Sequence, residues 1–472
     1  MLNRLIILFT VSILSGCGDE NHSDNREKTG NSNPQVVKVE EDNTQQNTKQ
    51  PSANPKNKLT ENELFSKSAK ILFKYRAVSA SLYGVPEKLT GYHYQDQLED
   101  YSPENEAKFR TEMRQNAMEI SRLRLSDNNE DENVDVVENI TQYFAGDKDF
   151  SVGFIDSWMG HSAFIVNQIN GPMIDVPNNL INSHTIKNIA DAEDYISRLS
   201  KFKLMADSIL AKVHSDTKQN WIPPKVIIKK AANYLHGFTK TPAAQSTLLK
   251  ALSDKLKNLS LSEKQQQQLI NQATVQIEQS VYPAFKMMAR AMDELYLRGR
   301  EESGIWAQPG GEQFYAYEIS KLGDTDLSAA EIHQLGLNEV ERITTEMDTI
   351  LKAQGYSKGS VGERMVALNN EPRFLYPNTD EGRATLLKDL NGLVDGIKLK
   401  MPDYFQTIPP YKLEIKRIPV ATQDSSPGGY ATSPTLDGST PGIYWINLRN
   451  TKANPKFDLK TLTYHEAIPG HF

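Results

Sequence analysis

The chain has almost no cysteine: Cys17 is the single thiol among its 472 residues. A disulfide needs two thiols, so no bridge can form within one chain, even in an oxidising compartment such as the periplasm. If Cys17 carries lipid, no free thiol is left at all. The sequence therefore excludes a scaffold stabilised by disulfides.

A basic excess and a membrane-spanning apolar run are also lacking. The net charge is −7 and charges of both signs are interspersed, which argues against nucleic acid as a partner. The longest apolar run, residues 5–14, is too short to span a bilayer as a mature helix. No repeat occurs at solenoid periods. The composition is that of a soluble globular protein, and the residues after position 58 can bury a large core.

Residues 1–17 predict a lipoprotein signal peptide. The apolar run ends in Leu14-Ser15-Gly16-Cys17, which resembles a bacterial lipobox, where a peptidase cuts before a cysteine that carries lipid. The alternative is an ordinary cleaved signal with an incidental cysteine. Gly18 follows the cysteine, and a residue other than Asp there favours the outer membrane. We therefore predict a periplasm-facing protein, anchored through lipid on Cys17 to the outer membrane of a Gram-negative bacterium.

Two further regions follow the signal. Residues 18–58 are dominated by polar side chains and contain no aromatic residue, so we predict a disordered tether between the membrane and the globular domain. Residues 59–472 form the predicted globular domain, in which helix signals dominate as far as about residue 400. Capping boxes predict helix starts after Thr60, Ser262 and Ser328. Pro283 is expected to interrupt or kink a long helix.

After about residue 405 the pattern changes to that of strands. Residues 412–418 alternate charged and aliphatic side chains, and residues 442–448 form a β-rich run bounded by turn signals. They predict a small sheet immediately before the final helix. Residues 442–448 are interpreted as an edge strand, on which an extended substrate could pair and present its carbonyl to a metal. Tyr430 and Tyr444, near this strand, are candidate substrate contacts.

The last residues carry the strongest chemical signal, namely His465, Glu466 and His471. Two neutral imidazoles can bind catalytic zinc, and a carboxylate can take the proton of the water that zinc activates. Asp458 is a plausible N-cap for the helix that carries them. The second histidine usually follows the first by four residues, but Pro469 stands there, so the helix must distort for His471 to share the metal. From spacing alone, a capping or packing role for these histidines stays open.

The segment Tyr-His-Glu-Ala-Ile-Pro-Gly-His resembles the hallmark of the bacterial DUF885 family, usually written His-Glu-x-x-Pro-Gly-His. Many members of that family are predicted lipoproteins. The resemblance runs from about residue 60 to the end, with matching blocks at 167–172, 191–199, 331–340 and 437–448. It implies a mainly α-helical, zincin-like fold of the oligopeptidase and angiotensin-converting-enzyme kind, with the small β-sheet preceding the metal helix. It also implies that His465 and His471 are zinc ligands and that Glu466 is the general base.

The resemblance implies a larger site than this chain contains. Members of the family continue beyond the motif with helices that would supply a third ligand, usually Glu, and groups that stabilise the oxyanion. Many also have a second histidine directly after the motif, where this chain has Phe472. Catalytic zinc normally has three protein ligands. We therefore expect a chain truncated after the motif, which binds zinc poorly and has little activity.

Other polar residues have simpler interpretations. His333 is interpreted as a surface or core-edge histidine, and Asn167, Gln168 and His184 as side chains that satisfy loop backbone groups. Trp306 and the Pro-Gly-Gly after it predict an ordered loop near the site, which could contact substrate.

The sequence thus predicts a mainly helical, membrane-anchored zinc metallopeptidase that acts on peptides and does not bind nucleic acid. The competing hypothesis is a non-catalytic lipoprotein that binds peptides or cell-wall fragments in the same cleft. A third is a structural helical body whose terminal histidines are merely packed.

Overall fold

The structure is a computed structural model, and it describes residues 60–127, 132–157, 160–420, 423, 426–436 and 438–472. The predicted signal peptide, Cys17 and the tether over 18–58 lie outside these residues. Within the described ranges the chain is mainly helical, as predicted, and it contains the predicted small sheet before the final helix and a second, two-stranded sheet that the sequence did not predict. None of the described helices combines the length and the apolar character needed to cross a bilayer.

The first helices begin where the capping box predicts. The Thr60 hydroxyl accepts from the Glu63 N–H, and the Glu63 carboxylate accepts from the Thr60 N–H. The helices of this part are α1 (Glu61–Tyr75), α2 (Ala77–Leu82), α3 (Glu87–Thr90), α4 (Pro103–Asp127) and α5 (Glu132–Ala145). Phe73 of α1, Phe109 of α4 and Phe144 of α5 meet in one buried core. This core fixes the position of the loop that joins α1 to α2.

A buried ionic cluster lies at that junction. Arg76 is 2% exposed, and its Nη2 lies 2.7 Å from Glu106 Oε2. The other oxygen of Glu106 lies 3.0 Å from Arg110 Nε. Burial alone would raise the pKa of Glu106, but the two guanidinium groups lower it to about 2. The charge of Arg76 is therefore already matched by a carboxylate that stays ionised.

The largest core is formed by the middle of the chain. A hairpin, β1 (Phe154–Asp156) and β2 (Gly160–Ser162), leads into α6 (Pro172–Asn182), α7 (Ile189–Lys218), α8 (Lys225–Phe238), α9 (Thr247–Leu256), α10 (Glu263–Gln276) and α11 (Tyr282–Tyr296). The capping box of Ser262 with Gln265 is confirmed. The interruption expected at Pro283 takes the form of a π-helical turn, Ile277–Val281, just before it. The wider turn accommodates a residue that has no N–H to donate.

The next helices are α12 (Gly311–Leu322), α13 (Ala329–Ala353) and α14 (Val361–Asn369). The capping box of Ser328 with Glu331 is confirmed. Helix α13 thus begins where predicted, yet Leu351 is its one buried residue within the described chain. Leu335 and Val340 of the same helix are exposed. The capping box predicted the start of the helix, but not what its apolar side chains pack against.

The C-terminal part contains the second sheet. Its elements are α15 (Asp380–Lys398), α16 (Met401–Tyr404), β3 (Leu413–Arg417), β4 (Gly429–Thr432), β5 (Gly442–Ile446) and α17 (Lys456–Glu466). The strand order is β3-β5-β4, with β5 parallel to β3 and antiparallel to β4. Both predicted strands are confirmed. The edge position predicted for residues 442–448 is wrong, because β5 has a neighbour on each side and β4 forms the edge.

The loop between β4 and β5 fastens this sheet to the helical body. The Leu436 N–H donates to Tyr83 O at 3.0 Å, at the end of α2. Gly84 adopts a φ of +58°, and a side-chain carbon added there would lie 2.8 Å from Thr435 Cβ. Only glycine allows this conformation together with so close an approach. The docking places β4 between α17 and the helices that precede it in sequence.

Candidate metal centre

The final helix begins earlier than the sequence predicts. Its N-cap is Pro455, and Lys456 is the first helical residue. Asp458 lies in the first turn, where its N–H donates to Pro455 O at 3.0 Å, so the N-cap prediction for Asp458 is wrong. Proline presets the backbone angle of a helix start, and an acidic side chain in the first turn suits the positive end of the helix dipole. His465 and Glu466 therefore lie in the last turn of α17.

The helix ends at Glu466 and continues into a wide turn. The peptide bond before Pro469 is cis. The Gly470 N–H donates to Tyr464 O and the His471 N–H donates to His465 O, both at 2.9 Å. Each of these bonds spans six residues instead of the four of an α-helix. The turn that follows α17 therefore contains two residues more than a turn of regular α-helix.

Gly470 is essential to the geometry of this turn. A side-chain carbon at Gly470 would lie 1.9 Å from His465 O and 2.5 Å from Tyr464 O. Any other residue would push the turn open. Because Gly470 can lie directly on the end of α17, the next residue, His471, is placed above His465.

The structure brings the three predicted site residues together. The candidate ligand atoms of His465, Glu466 and His471 all lie within 4.8 Å of one another. The two imidazole rings have centroids 4.8 Å apart and cross at 78°. His471 Nε2 lies 3.8 Å from Glu466 Oε2. The wide turn at the end of α17 therefore brings the two imidazole rings together, as sharing one metal would require. The roles of the three residues stay predictions.

Burial differs among the three residues. Glu466 is 7% exposed, whereas His465 is exposed and His471 is intermediate. A side-chain carbon added at Gly442 of β5 would lie 1.7 Å from Phe472 Cε2. The Phe472 ring thus packs on the bare backbone of β5, which fixes the residue next to His471. One enclosed carboxylate beside two accessible imidazoles can hold a cation or move a proton at the surface of the fold.

The two candidate substrate tyrosines occupy opposite faces of the sheet. Tyr444 is completely buried in the core that includes α15 and α17, so it is not a substrate contact in this structure. Burial, and then the nearby Glu466 carboxylate, raise the pKa of Tyr444. Tyr430 is partly exposed and stacks on Trp445 with ring centroids 6.2 Å apart. The two-residue period of β5 explains this outcome, because it turns Tyr444 and Trp445 to opposite sides.

Strand β4 runs directly past the candidate metal centre. A side-chain carbon added at Gly429 would lie 3.8 Å from Glu466 Cγ. The Asn447 N–H donates to Gly428 O at 2.9 Å, so the backbone groups of Gly428 point toward β5. Because this direction alternates along an antiparallel strand, the N–H and C=O groups of Gly429 and Ala431 point away from β5, to the outer edge of the sheet. The sequence signalled a turn at Gly428 and Gly429, and a four-residue strand carries too little alternation to be recognised. Its role as the edge strand was therefore missed.

Other polar residues do not belong to this centre. His333 is exposed on α13, and Asn167 Oδ1 accepts from the backbone N–H groups of Ile169 and Asn170. His184 is 1% exposed; burial, and then the charge of Arg198, lower its pKa to about 3. It is thus a neutral structural histidine.

The other loop residues also lie in the helical body. Gln168 has a buried Oε1 without a hydrogen-bond partner among the described residues. Trp306 is 67% exposed and lies in a short 3₁₀ turn, Ile305–Ala307. Ile305 of this turn packs against the core of Val152, Trp221 and Phe314. The Trp306 loop is therefore ordered, as predicted, and is held by the helical body.

Comparisons with known proteins agree with the resemblance in the motif. Residues 78–472 match the family model described as "Bacterial protein of unknown function (DUF885)". The crystal structure of a candidate lipoprotein from Colwellia psychrerythraea is 48% identical, with a TM-score of 0.83, and the match covers 87% of this chain and 70% of that one. A comparison with curated proteins found no match.

A second solved structure shares the fold at much lower identity. It is a candidate lipoprotein of unknown function from Shewanella oneidensis, with a TM-score of 0.54 and 13% identity. The match covers 86% of this chain and 70% of that chain. At this identity the similarity shows the fold alone.

Proposed function

We propose, from the premise that the chain belongs to the bacterial DUF885 family, that it is a zinc-dependent hydrolase of peptides. The observation that carries the proposal is the group at the end of α17, in which two imidazoles and a carboxylate have ligand atoms within 4.8 Å of one another. Imidazole and carboxylate are ligands that zinc takes in proteins. Core packing does not account for the group, because His465 is exposed.

Each residue has a distinct role in this proposal. His465 and His471 would hold the zinc through neutral imidazole nitrogens. When bound, zinc supplies a Lewis acid that polarises a carbonyl and makes water more acidic. Glu466, buried within 3.8 Å of His471, would take a proton from water and pass it to the leaving amine. The outward backbone groups of Gly429 and Ala431 would pair with an extended peptide.

The number of protein ligands to zinc depends on whether Glu466 acts as the base or as a ligand. Catalytic zinc normally has three protein ligands, and among the described residues the group consists of His465, Glu466 and His471. If Glu466 is the base, a further donor must join the two histidines. If Glu466 is itself a ligand, another group must accept the proton. With two histidines alone the affinity for zinc is expected to be low.

The test compares Glu466→Gln with a matched control. Zinc is supplied in excess and its binding is measured by equilibrium dialysis, while hydrolysis is followed on a mixture of quenched fluorescent peptides. Glu294→Gln, on the exposed surface of α11, is the control. We expect Glu466→Gln to keep zinc and to lose hydrolysis by about 10²- to 10⁴-fold, the usual contribution of a general base. Chelation should abolish wild-type hydrolysis, and added zinc should restore it.

Three results would change the proposal. Loss of zinc from Glu466→Gln would make Glu466 a ligand. Unchanged hydrolysis by that variant, with zinc bound, would exclude Glu466 as the base. Failure of the wild-type chain to bind zinc would overturn the metal site, and peptide binding without hydrolysis would then favour the alternative, a non-catalytic lipoprotein for peptides or cell-wall fragments.

We further propose that lipid on Cys17 anchors the protein to a membrane, facing the periplasm, with the outer membrane as the expected location. The relative from Colwellia, named as a candidate lipoprotein, supports this. Cys17→Ser should move the protein from the membrane fraction to the soluble fraction of the cell. Retention of that variant in the membrane would contradict lipid anchoring.

A further inference from the structure

A cavity of about 250 Å³ lies between the helical body and the end of β4. Its walls come from α2, from the segment before α4, from the end of β1 and from α6, and Thr432 of β4 closes one side. None of the three residues at the end of α17 lines it. The cavity is therefore a feature separate from the candidate metal centre.

Acidic residues, and residues that carry an unpartnered oxygen atom, line this cavity. Glu99, Asp156 and Asp175 all line it. Glu99 is 5% exposed; its Oε1 accepts from the Val78 N–H at 2.8 Å. Its Oε2 is buried and has no hydrogen-bond partner among the described residues, and the same is true of Asn179 Oδ1. Buried acceptors without donors are rare in native folds, because each costs free energy.

Arg76, the one basic residue among the described residues that line this cavity, is already engaged. Its guanidinium donates to Ile155 O and Tyr75 O and pairs with Glu106. Burial, then the charge of Asp156 and to a lesser extent that of Glu99, raise the pKa of Asp175 to about 7. The elevated pKa is what crowded carboxyl groups without a sufficient counter-charge are expected to have.

Strand β4 connects this cavity to the metal centre. Gly429, at one end of β4, lies beside Glu466, and Thr432, at the other end, lines the cavity. Three residues of strand span about 10 Å. A peptide in extended conformation along the outer edge of β4 would therefore pass both sites. Thr432 points to the face opposite Gly429 and Ala431, so a side chain of the peptide on that same face would reach the cavity.

We propose that this cavity binds a cationic group of a peptide that lies along β4. An ammonium or guanidinium group brings only hydrogen-bond donors, which complements the carboxylates of Glu99, Asp156 and Asp175 in the lining. Two sources share this chemistry, the α-ammonium of a free N-terminus and the side chain of Lys or Arg. The inference rests on the proposed peptide-binding function, and it adds a substrate class: peptides with a positive charge about three residues from the bond at the metal centre.

The experiment measures affinities for short alanine-based peptides by isothermal titration calorimetry. One pair compares a free with an acetylated N-terminus, and a second, fully blocked series compares Lys with its neutral isostere norleucine at each position. We expect one cationic series to bind at least tenfold more tightly than its neutral partner, and the series that does so identifies the source of the charge. Asp175→Asn and Glu99→Gln should reduce this preference to less than threefold.

Two further variants guard against misfolding and net-charge effects. Asp395→Asn removes one negative charge from the exposed surface of α15 and should leave the preference intact. Thr432→Lys, at an exposed position, places a tethered ammonium at the cavity and should remove the preference without deleting any acid. Equal affinity for cationic and neutral peptides, absence of binding to any peptide, or loss of the preference in Asp395→Asn would overturn the proposal.

Hydrolysis assays on the same peptides separate the two proposals. If the zinc-supplied chain hydrolyses none of them while the cation preference persists, the hydrolase proposal fails and the cavity proposal stands. If hydrolysis occurs with equal kcat/KM for cationic and neutral peptides, the cavity proposal fails and the hydrolase proposal stands.

Discussion

Replacing Asp175 by Asn should stabilise the protein, and the gain should depend on pH. The pKa of Asp175 is raised from 3.8 to about 7, mainly by burial and by Asp156. Each tenfold change in ionisation is worth about 1.4 kcal/mol, so ionising Asp175 costs the folded state about 4 kcal/mol at most. The part-exposed position of the side chain makes this an upper limit.

The sign follows from linkage between protonation and folding. A carboxyl group whose pKa is higher in the folded state favours the fold while it is protonated, and this contribution is complete below the unfolded value near pH 4. The contribution disappears as the pH rises through about 7. Asn cannot ionise, and its Oδ1 can still accept the hydrogen bond that Gly171 N–H now donates to Asp175. The advantage of Asp175→Asn should therefore grow with pH, from at most about 2 kcal/mol near pH 5 to at most about 4 kcal/mol above pH 8.

Urea unfolding of the wild type and the variant, at about pH 5 and about pH 8.5, measures this difference. Asp395→Asn, which removes a carboxylate from an exposed site, controls for net charge and should show no pH-dependent gain. The reasoning is refuted if Asp175→Asn is less stable than the wild type at high pH. It is also refuted if the gain is the same at both pH values, because the effect would then not come from ionisation.

Four other substitutions test the centre and the core. Gly470→Ala should abolish zinc binding, because the added carbon would lie 1.9 Å from His465 O; unchanged zinc affinity in dialysis would show that the wide turn is not needed. His465→Ala and His471→Ala should each lower zinc affinity by at least about 10-fold, because the loss of a residue that only hydrogen-bonds to a metal ligand already costs about that much. Unchanged zinc affinity in either variant would show that the residue is not a ligand. Glu106→Gln leaves two buried guanidinium groups without their carboxylate and should cost about 3–5 kcal/mol in urea unfolding at neutral pH. Because the pKa of Glu106 is lowered to about 2, its contribution is complete above its unfolded pKa of about 4.5 and is lost as the pH falls toward 2; a deficit that does not shrink there would contradict the assignment.

The features that sequence predicts well are those in which the interacting groups are close along the chain. The capping boxes at Thr60, Ser262 and Ser328 each involve a residue and its third neighbour, and all three are present. The group around His465 and His471 also lies within seven consecutive residues. A motif of residue types therefore sufficed to locate it, even though the wide turn that closes it could not be read from periodicity.

What the sequence missed depends on pairing between distant segments. That β5 is central and β4 is the edge follows from a strand order that no local pattern encodes. The cavity combines Glu99, Asp175 and Thr432, which are separated by long stretches of chain and share no periodic signature. Burial in the folded structure then raises the pKa of an acidic residue such as Asp175 above its usual value. The sequence alone does not reveal which residues are buried.

The docking of the β4–β5 loop on Tyr83 has a consequence for the order of assembly. The turn at His471 closes with its own helix, whereas the β4 side of the cavity is closed only after this loop has joined two parts of the chain that are remote in sequence. Short-range contacts form early in folding and long-range ones form late. If the proposed hydrolase activity and cation preference hold, a copy in which this loop is undocked would have its candidate metal centre in place before the complete cavity, and docking would then guard against indiscriminate cleavage.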